Sequence, residues 1–110
     1  MNCKNTAIAA VLAIISATPA MAQDGLASMH SMTRIGRMLC MTEHFHFGQS
    51  SGAPSRKAAE IAAIRDWSSF TSWEYGNVWG DFRIAGSRGI KCTRSGNTWG
   101  CSVEARPCRR

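Results

Sequence analysis

The sequence predicts a small two-layer α+β domain stapled by disulfides, with the element order strand, long helix, short helix and C-terminal β-hairpin. Three features predict this fold class. Apolar and polar residues alternate at positions 44–47, an alanine-rich run with a capping serine spans positions 55–73, and two cysteines flank a Gly-Asn turn at equal distances near the C-terminus. Alternation is typical of a strand, and a capped alanine-rich run is typical of a helix. A Gly-Asn turn between two cysteines is typical of a hairpin.

The first 22 residues predict a cleaved secretory signal peptide. Lys4 precedes an apolar run at positions 7–17, and small residues follow it up to a cleavage site after Ala22. The run is too short for a transmembrane helix, which favours a cleaved signal peptide over the alternative of an uncleaved membrane anchor. After cleavage we expect no stable membrane span. Export predicts a periplasmic or secreted protein and argues against nucleic acid as a partner.

Of the remaining 88 residues, those at 38–110 are expected to form one domain. The segment at 23–37 has no sustained hydrophobic period and is expected to be flexible. These 88 residues keep all seven acidic residues and twelve of the thirteen basic ones, so their net charge is +5. A positive surface favours an anionic partner, although solubility alone also explains the charge. The sequence does not indicate the oligomeric state.

The first predicted element of the domain is one strand at 38–48. Its aromatic residues, Phe45 and Phe47, alternate with His44 and His46. Because side chains on a strand alternate between its two faces, this pattern predicts that the phenylalanines face the core and that the histidines face solvent.

A long helix is predicted next, from Arg56 to about Trp73. Ser55 is a good N-cap, because its hydroxyl can accept a hydrogen bond from an N–H group of the first helical turn. The residues expected on the buried face share helical spacing: Ala59, Ala63, Trp67 and Phe70. The alanines on this face would allow the helix to approach a sheet closely.

Residues 78–85 are ambiguous between a helix and a strand. The spacing of Trp79, Phe82 and Ala85 at intervals of three favours a short helix, which is the interpretation we adopt. An alternating strand through the same residues is the alternative. The aromatic core expected from these elements consists of Trp67, Phe70, Trp79, Phe82 and Trp99.

The C-terminal hairpin is predicted from a Gly-Asn pair at 96–97, which supplies the positive φ angles of a tight two-residue turn. Counting outward from this turn places Arg94 opposite Trp99. It also places Cys92 opposite Cys101 at a non-hydrogen-bonded position, where two Cα atoms approach within disulfide range. The predicted core face of the hairpin comprises Ile90, Cys92, Trp99, Cys101, Val103 and Ala105.

Four cysteines remain after the signal peptide, and they allow three pairings. The hairpin register selects Cys92–Cys101 and leaves Cys40 to pair with Cys108. In a regular strand the Cys40 side chain would project from the solvent-facing side, together with His44 and His46. Cys40 therefore needs a bulge or an edge position to reach Cys108. Loop-closure entropy makes the hairpin bridge worth about 2–3 kcal/mol and the long bridge about 4 kcal/mol.

Turn glycines, aromatic residues and cysteines form a pattern over about residues 40–110: Lys57, Ala58, Trp67, Tyr75, Gly76, Trp79, Phe82, Ala85, Cys92, Trp99, Gly100, Cys101 and residues 105–108. In this pattern the chain resembles a group of small exported alphaproteobacterial proteins to which no activity is assigned. The resemblance implies a compact secreted domain and carries over no catalytic residue.

Sulfur and imidazole donors near the start of the domain suggest a metal site. His44 and His46 would project from one side of the predicted strand, and with Met41 they could bind copper, which accepts thioether and imidazole ligands. A free Cys40 thiol beside both histidines would instead suit zinc. The alternative is that both are strand histidines without a ligand, because their spacing matches no metal motif. We expect no other cofactor.

No catalytic motif is found, and in particular no Gly-x-Ser-x-Gly sequence is present, so we predict a protein that is not an enzyme. The leading hypothesis is a basic module that binds an anionic envelope component or an acidic protein through Lys91, Arg94, Trp99 and Arg106. Trp99 beside Arg94 could stack on a sugar, but its place on the core face favours burial. A cationic antimicrobial or toxin-like role is a further alternative.

Overall fold

The computed structural model describes residues 26–110, so the predicted signal peptide lies outside the described residues. The strands are β1 (Met32–Ile35), β2 (Met38–Met41), β3 (His46–Gln49), β4 (Gly86–Ser95), β5 (Thr98–Arg106) and β6 (Cys108–Arg109). The long helix α1 spans Arg56–Tyr75, and short 3-10 turns cover Ala27–Met29, Asn77–Trp79 and Phe82–Ile84. None of these helices is long and apolar enough to cross a bilayer.

The strands form two antiparallel sheets of three strands each, in the orders β1-β2-β6 and β3-β5-β4. The predicted α+β class and its order of strand, helix and hairpin are confirmed. Both predicted disulfides are also present. Cys40–Cys108 joins β2 to β6 over a sequence separation of 68, and Cys92–Cys101 joins β4 to β5 over a separation of 9.

Part of the segment at 23–37 has regular structure, because it contains the 3-10 turn Ala27–Met29 and strand β1. β1 lies within it and pairs with β2, with Met32 opposite Met41. Ala27 is fully buried, and it packs in a small core with Met41, Tyr75 and Trp79. The strand was missed because it has only four residues and obtains its hydrogen bonds from β2, a pairing that leaves no period in the local sequence.

Residues 38–48 form two strands in different sheets, not one strand. β2 ends at Met41, and β3 begins at His46 in the other sheet. This break explains how Cys40 reaches Cys108. Because Cys40 lies in β2, the direction of its side chain is set by the pairing of β2 with β1 and β6, and it does not depend on the faces that His44 and His46 occupy. In β2, Cys40 lies directly opposite Cys108, without a bulge.

The predicted orientation of β3 is wrong: His46 is buried, whereas Phe45 is 37% and Phe47 60% exposed. The reason lies at Gly48, on the same face as His46. A Cβ atom on Gly48 would lie against the Ala63 carbonyl oxygen and 2.6 Å from the Trp67 nitrogen. Only the strand face that carries glycine leaves room for the helix backbone, so the phenylalanines are turned outward.

Helix α1 begins as predicted, because the Ser55 hydroxyl accepts a hydrogen bond from the Ala58 N–H at 3.1 Å. It ends at Gly76, whose φ of 105° is accessible to glycine. The buried residues recur every four positions: Ala59, Ala63, Trp67, Thr71 and Tyr75. Phe70 is 45% exposed, so its assignment to the core is wrong; it lies one position off the buried stripe.

The segment 78–85 is not an alternating strand; its helical residues belong to two 3-10 turns, Asn77–Trp79 and Phe82–Ile84. The break falls at Gly80, which packs so closely on α1 that a Cβ atom would lie 2.9 Å from the Ser68 carbonyl oxygen. The second turn is capped by Asp81, whose carboxylate accepts a hydrogen bond from the Arg83 N–H. Trp79 and Phe82 are buried as expected.

The main core lies between α1 and the sheet β3-β5-β4, and Trp67 is at its centre. Its indole N–H donates to the carbonyl oxygen of His46 at 3.0 Å, and its ring meets Phe82 edge-on at 5.3 Å. Trp99, at the end of this core, is only partly buried. Helix α1 therefore covers one face of the sheet, and the other face is left to solvent.

Candidate functional site

Strand β4 is an edge strand of the sheet β3-β5-β4. Its register with β5 is the predicted one: Arg94 lies opposite Trp99, and Cys92 lies opposite Cys101. Pairing is regular from Gly89 to Ser95 and is interrupted by a bulge between Gly86 and Gly89. The register follows from local turn chemistry, because Gly96 at the tip has a φ of 60°.

None of the ten residues of β4 is buried on either face of the sheet. The buried residues of the hairpin, Cys101, Val103 and Ala105, all lie on β5. Ile90 was predicted on the core face but is 41% exposed, because α1 packs mainly over β3 and β5 and leaves β4 beyond its edge. The disulfide and the hydrogen bonds to β5 therefore hold β4 in place.

The charges on β4 all have the same sign. Arg88, Lys91 and Arg94 are exposed, and the strand contains no acidic residue. The ion pairs found among residues 26–110 do not involve them; they are Arg56–Glu60 and Arg83–Asp81. Glu104, opposite Gly89 on β5, is the nearest acidic residue in the register. Among the described residues no ion pair engages the three cations of β4, and Glu104 lines the same cleft as Lys91.

Two open clefts lie along the uncovered face of the sheet, and Lys91 lines both. The first, of about 270 Å³, is bounded by Phe47 and Glu104. The second, of about 610 Å³, is lined largely by small polar residues such as Thr93 and Ser102. The surface beside β4 therefore combines a cation, hydroxyl groups and an exposed aromatic ring.

The four predicted partner-binding residues do not form one site. Lys91 and Arg106 lie on the uncovered face, whereas Arg94 and Trp99 share the opposite face at the hairpin tip. The guanidinium of Arg106 lies 5.0 Å from the Phe45 ring centroid, in a cation–π contact that sequence reasoning missed. It could not be found from spacing, since it depends on which face of the 44–47 segment turns outward.

A second polar cluster surrounds His46. Its Nε2 atom is 3.1 Å from a Glu74 carboxylate oxygen, and its Nδ1 atom is 2.9 Å from the Thr71 hydroxyl. Because a carboxylate only accepts hydrogen bonds, Nε2–H donates to Glu74, and a neutral ring accepts the Thr71 hydroxyl proton at Nδ1. The ring also stacks on Tyr75 at 4.8 Å. Both ring nitrogens are therefore engaged within the protein.

The predicted metal donors are not brought together. Met41 is fully buried in the smaller core, His46 is held by Thr71 and Glu74, and His44 is exposed. The His44 ring lies instead 4.2 Å from that of His30, a pairing that depends on how β1 and β2 meet. Within residues 26–110 no group of three or more His, Cys, Asp or Glu side chains could hold a metal ion.

Burial lowers the pKa of His46 below its ordinary value of 6.5; the nearby Glu74 carboxylate partly opposes this, and His44 and His30 add to it. Between the lowered pKa and 6.5 the unfolded chain binds more protons than the folded one. We therefore expect the free energy of unfolding to fall as the pH drops through 6.5 and to level off below the folded-state pKa.

Denaturant unfolding between about pH 8 and about pH 5 measures this effect. His46→Gln should be less stable by about 1–3 kcal/mol at neutral pH, since it disturbs the contacts with Thr71 and Glu74, and it should lose the pH dependence. His44→Gln, at an exposed position, should keep it. If the free energy of unfolding changes equally with pH in both variants, a group other than His46 titrates.

No protein-family model matches this chain, and no similarity is found to curated proteins or to solved structures. The resemblance to small exported alphaproteobacterial proteins therefore stays a prediction. Function has to be inferred from the geometry and charge of the described residues.

Proposed function

We propose that the chain is a non-catalytic binding module that holds an anionic partner at strand β4. One observation carries the proposal: Arg88, Lys91 and Arg94 are exposed on an edge strand that has no acidic residue and no buried side chain. The two disulfides indicate an oxidising, extracellular or periplasmic location. A partner at β4 would therefore be met outside the cytoplasm.

The arrangement of the cations supports the edge of the sheet as the binding site. Lys91 lies opposite Ser102 on the uncovered face, whereas Arg94 lies opposite Trp99 on the face that α1 covers elsewhere. Residues three apart on a strand are about 10 Å from each other and on opposite faces. A ligand confined to one face would contact only one of the two, but a ligand along the edge can contact both.

The physical basis of binding would be electrostatic attraction to exposed cations, which is screened by salt. Each exposed pair contributes little by itself, about 0–1 kcal/mol, so affinity should depend on several pairs acting together. The net positive charge, +6 for the whole sequence and +5 without its first 22 residues, adds a general attraction to anions. A test must therefore separate the site on β4 from this overall charge.

The test compares two variants that each lose three positive charges. Arg88→Gln/Lys91→Gln/Arg94→Gln removes the cations of β4, and Arg34→Gln/Lys57→Gln/Arg65→Gln removes exposed cations elsewhere. Binding to polyglutamate and to polygalacturonate is measured by calorimetry at low and at physiological salt, with neutral dextran as the blank.

We expect the β4 variant to lose about tenfold or more in affinity for at least one polyanion, and the matched variant to lose about threefold or less. Equal losses would show that binding follows net charge and not β4. Unchanged binding by the β4 variant, or no salt-sensitive binding by the natural protein, would also overturn the proposal.

A further inference from the structure

Among the strands of residues 26–110, β4 pairs only with β5, so one edge of its backbone carries a row of hydrogen-bonding groups without a strand partner. In a two-residue hairpin the pair next to the turn is hydrogen-bonded and the pairs then alternate, so Ser95, Thr93 and Lys91 bond to β5. Ile90, Cys92 and Arg94 occupy the intervening positions. Their N–H and C=O groups are therefore directed away from β5, toward the open edge of the sheet, where a further strand could pair with them.

The other edge of the same sheet is less suitable for such pairing. β3 has only four residues, and the chain beyond it continues along β5 through Ala53, which exchanges hydrogen bonds with Trp99. β4 is paired regularly over seven residues, from Gly89 to Ser95. This length matches the strands of ordinary sheets, so an added strand could make several backbone bonds.

The side chains of β4 are exposed on both faces, as is expected for a sheet that lacks its outermost strand. Ile90 is 41% exposed on the face that α1 covers farther in, and a side chain on an added strand would bury it. Lys91 projects from the other face beside the two clefts. An occupant with an apolar residue toward Ile90 and a carboxylate toward Lys91 would satisfy both faces at once.

Charge decides which chain can occupy the edge. A second copy of this protein, paired through β4, would place a strand with three cations and no acids against its own copy, and like charges across strands are destabilising. An acidic strand is attracted by the same three residues. Cations on an edge thus prevent self-association and leave pairing open to a strand of opposite charge.

We infer that the anionic partner is an extended acidic segment of another polypeptide, which adds to β4 as a fourth strand of the sheet β3-β5-β4. This inference depends on the proposed function, because it names the partner and the mode of binding at the same strand. Backbone hydrogen bonds would supply affinity, and Arg88, Lys91 and Arg94 would select acidic sequences.

Amide hydrogen exchange tests the inference directly. The natural disulfide-bonded protein, labelled for NMR, is mixed with an eight-residue peptide in which two glutamates alternate with two valines, so that both faces of the added strand carry carboxylates. The amides of Ile90, Cys92 and Arg94 should become protected by about tenfold or more, whereas those of Lys91 and Thr93, already bonded to β5, provide an internal reference. A peptide of the same sequence with every backbone nitrogen methylated keeps the charge but has no N–H group to donate on either edge, so it cannot pair as a strand and should give no protection.

A charge exchange provides the matched control. In Arg88→Glu/Lys91→Glu/Arg94→Glu the acidic peptide should lose its effect, and a peptide with lysine in place of glutamate should protect the same three amides. This rescue requires both the edge geometry and the sign of the charges, so a general loss of folding would not produce it.

Each remaining outcome separates strand addition from the proposed function. Salt-sensitive binding of the peptide at β4 without amide protection would overturn strand addition and leave the proposed function standing. Binding of polygalacturonate but not of acidic peptides would make the partner a glycan, which also overturns the inference. Protection of β4 without peptide that grows with protein concentration would mean that a second copy occupies the edge. No binding of any polyanion would overturn both proposals.

Discussion

Removal of the Cys40–Cys108 disulfide is expected to lower the free energy of unfolding by about 4 kcal/mol, compared with about 2–3 kcal/mol for Cys92–Cys101. The difference follows from the lengths of the loops, since the first bridge spans 68 positions and the second spans 9. A bridge that closes a longer loop removes more freedom from the unfolded chain. A domain of this size has little other stability to offset the loss.

The position of the long bridge makes its loss more damaging to one part of the fold. Cys40 and Cys108 are almost fully buried, and they join β2 to β6, a strand of only two residues. Without the bridge we expect the sheet β1-β2-β6 to open before the sheet β3-β5-β4. The short bridge lies within a hairpin whose strands are already paired by hydrogen bonds.

Guanidinium unfolding of Cys40→Ala/Cys108→Ala and of Cys92→Ala/Cys101→Ala gives the comparison. If the first variant is too unstable for an unfolding curve, its amide exchange still reports which sheet is lost. A hairpin variant that is equally or more destabilised would contradict the expected order. So would protection of β1 and β2 that is as high as that of β5 when the long bridge is absent.

Replacement of Gly48 by alanine is expected to destabilise the domain by about 3 kcal/mol, toward the upper end of the range for overpacking. The added methyl group would lie against the Ala63 carbonyl oxygen and 2.6 Å from the Trp67 nitrogen, both in the backbone of α1. A flexible side chain could move aside at little cost, but helix backbone cannot. The helix and β3 would have to separate where Trp67 is buried between them.

Gly86→Ala is the matched control, because it makes the same chemical change in another strand. A Cβ atom there has its nearest neighbour, the Cys108 sulfur, at 3.6 Å, which is ordinary contact, and Gly86 does not require a positive φ angle. Its unfolding free energy should change by less than about 1 kcal/mol. If Gly48→Ala is tolerated as well as Gly86→Ala, α1 is not packed against β3 as described.

The two glycines show how far the sequence could predict the site. Nothing in the sequence next to either glycine indicated that a helix backbone would cross Gly48 and not Gly86. The same contact turns His46 inward and Phe47 outward, so it determines both the buried histidine and the aromatic ring beside the clefts. The exposed β4, with its cations, likewise depends on where α1 packs.

The sequence by itself determined the features that depend on neighbouring residues: the hairpin register, the Cys92–Cys101 bridge and the Ser55 cap at the start of α1. The Cys40–Cys108 bridge followed by elimination. Only the tertiary structure decided the pairing of β1, the division of residues 38–48 between two sheets, the buried face of β3 and the exposure of β4. Turns and caps are set by backbone conformation and hydrogen bonds within a few residues. Faces and edges are set by distant segments that compete for the same space, which no local pattern records.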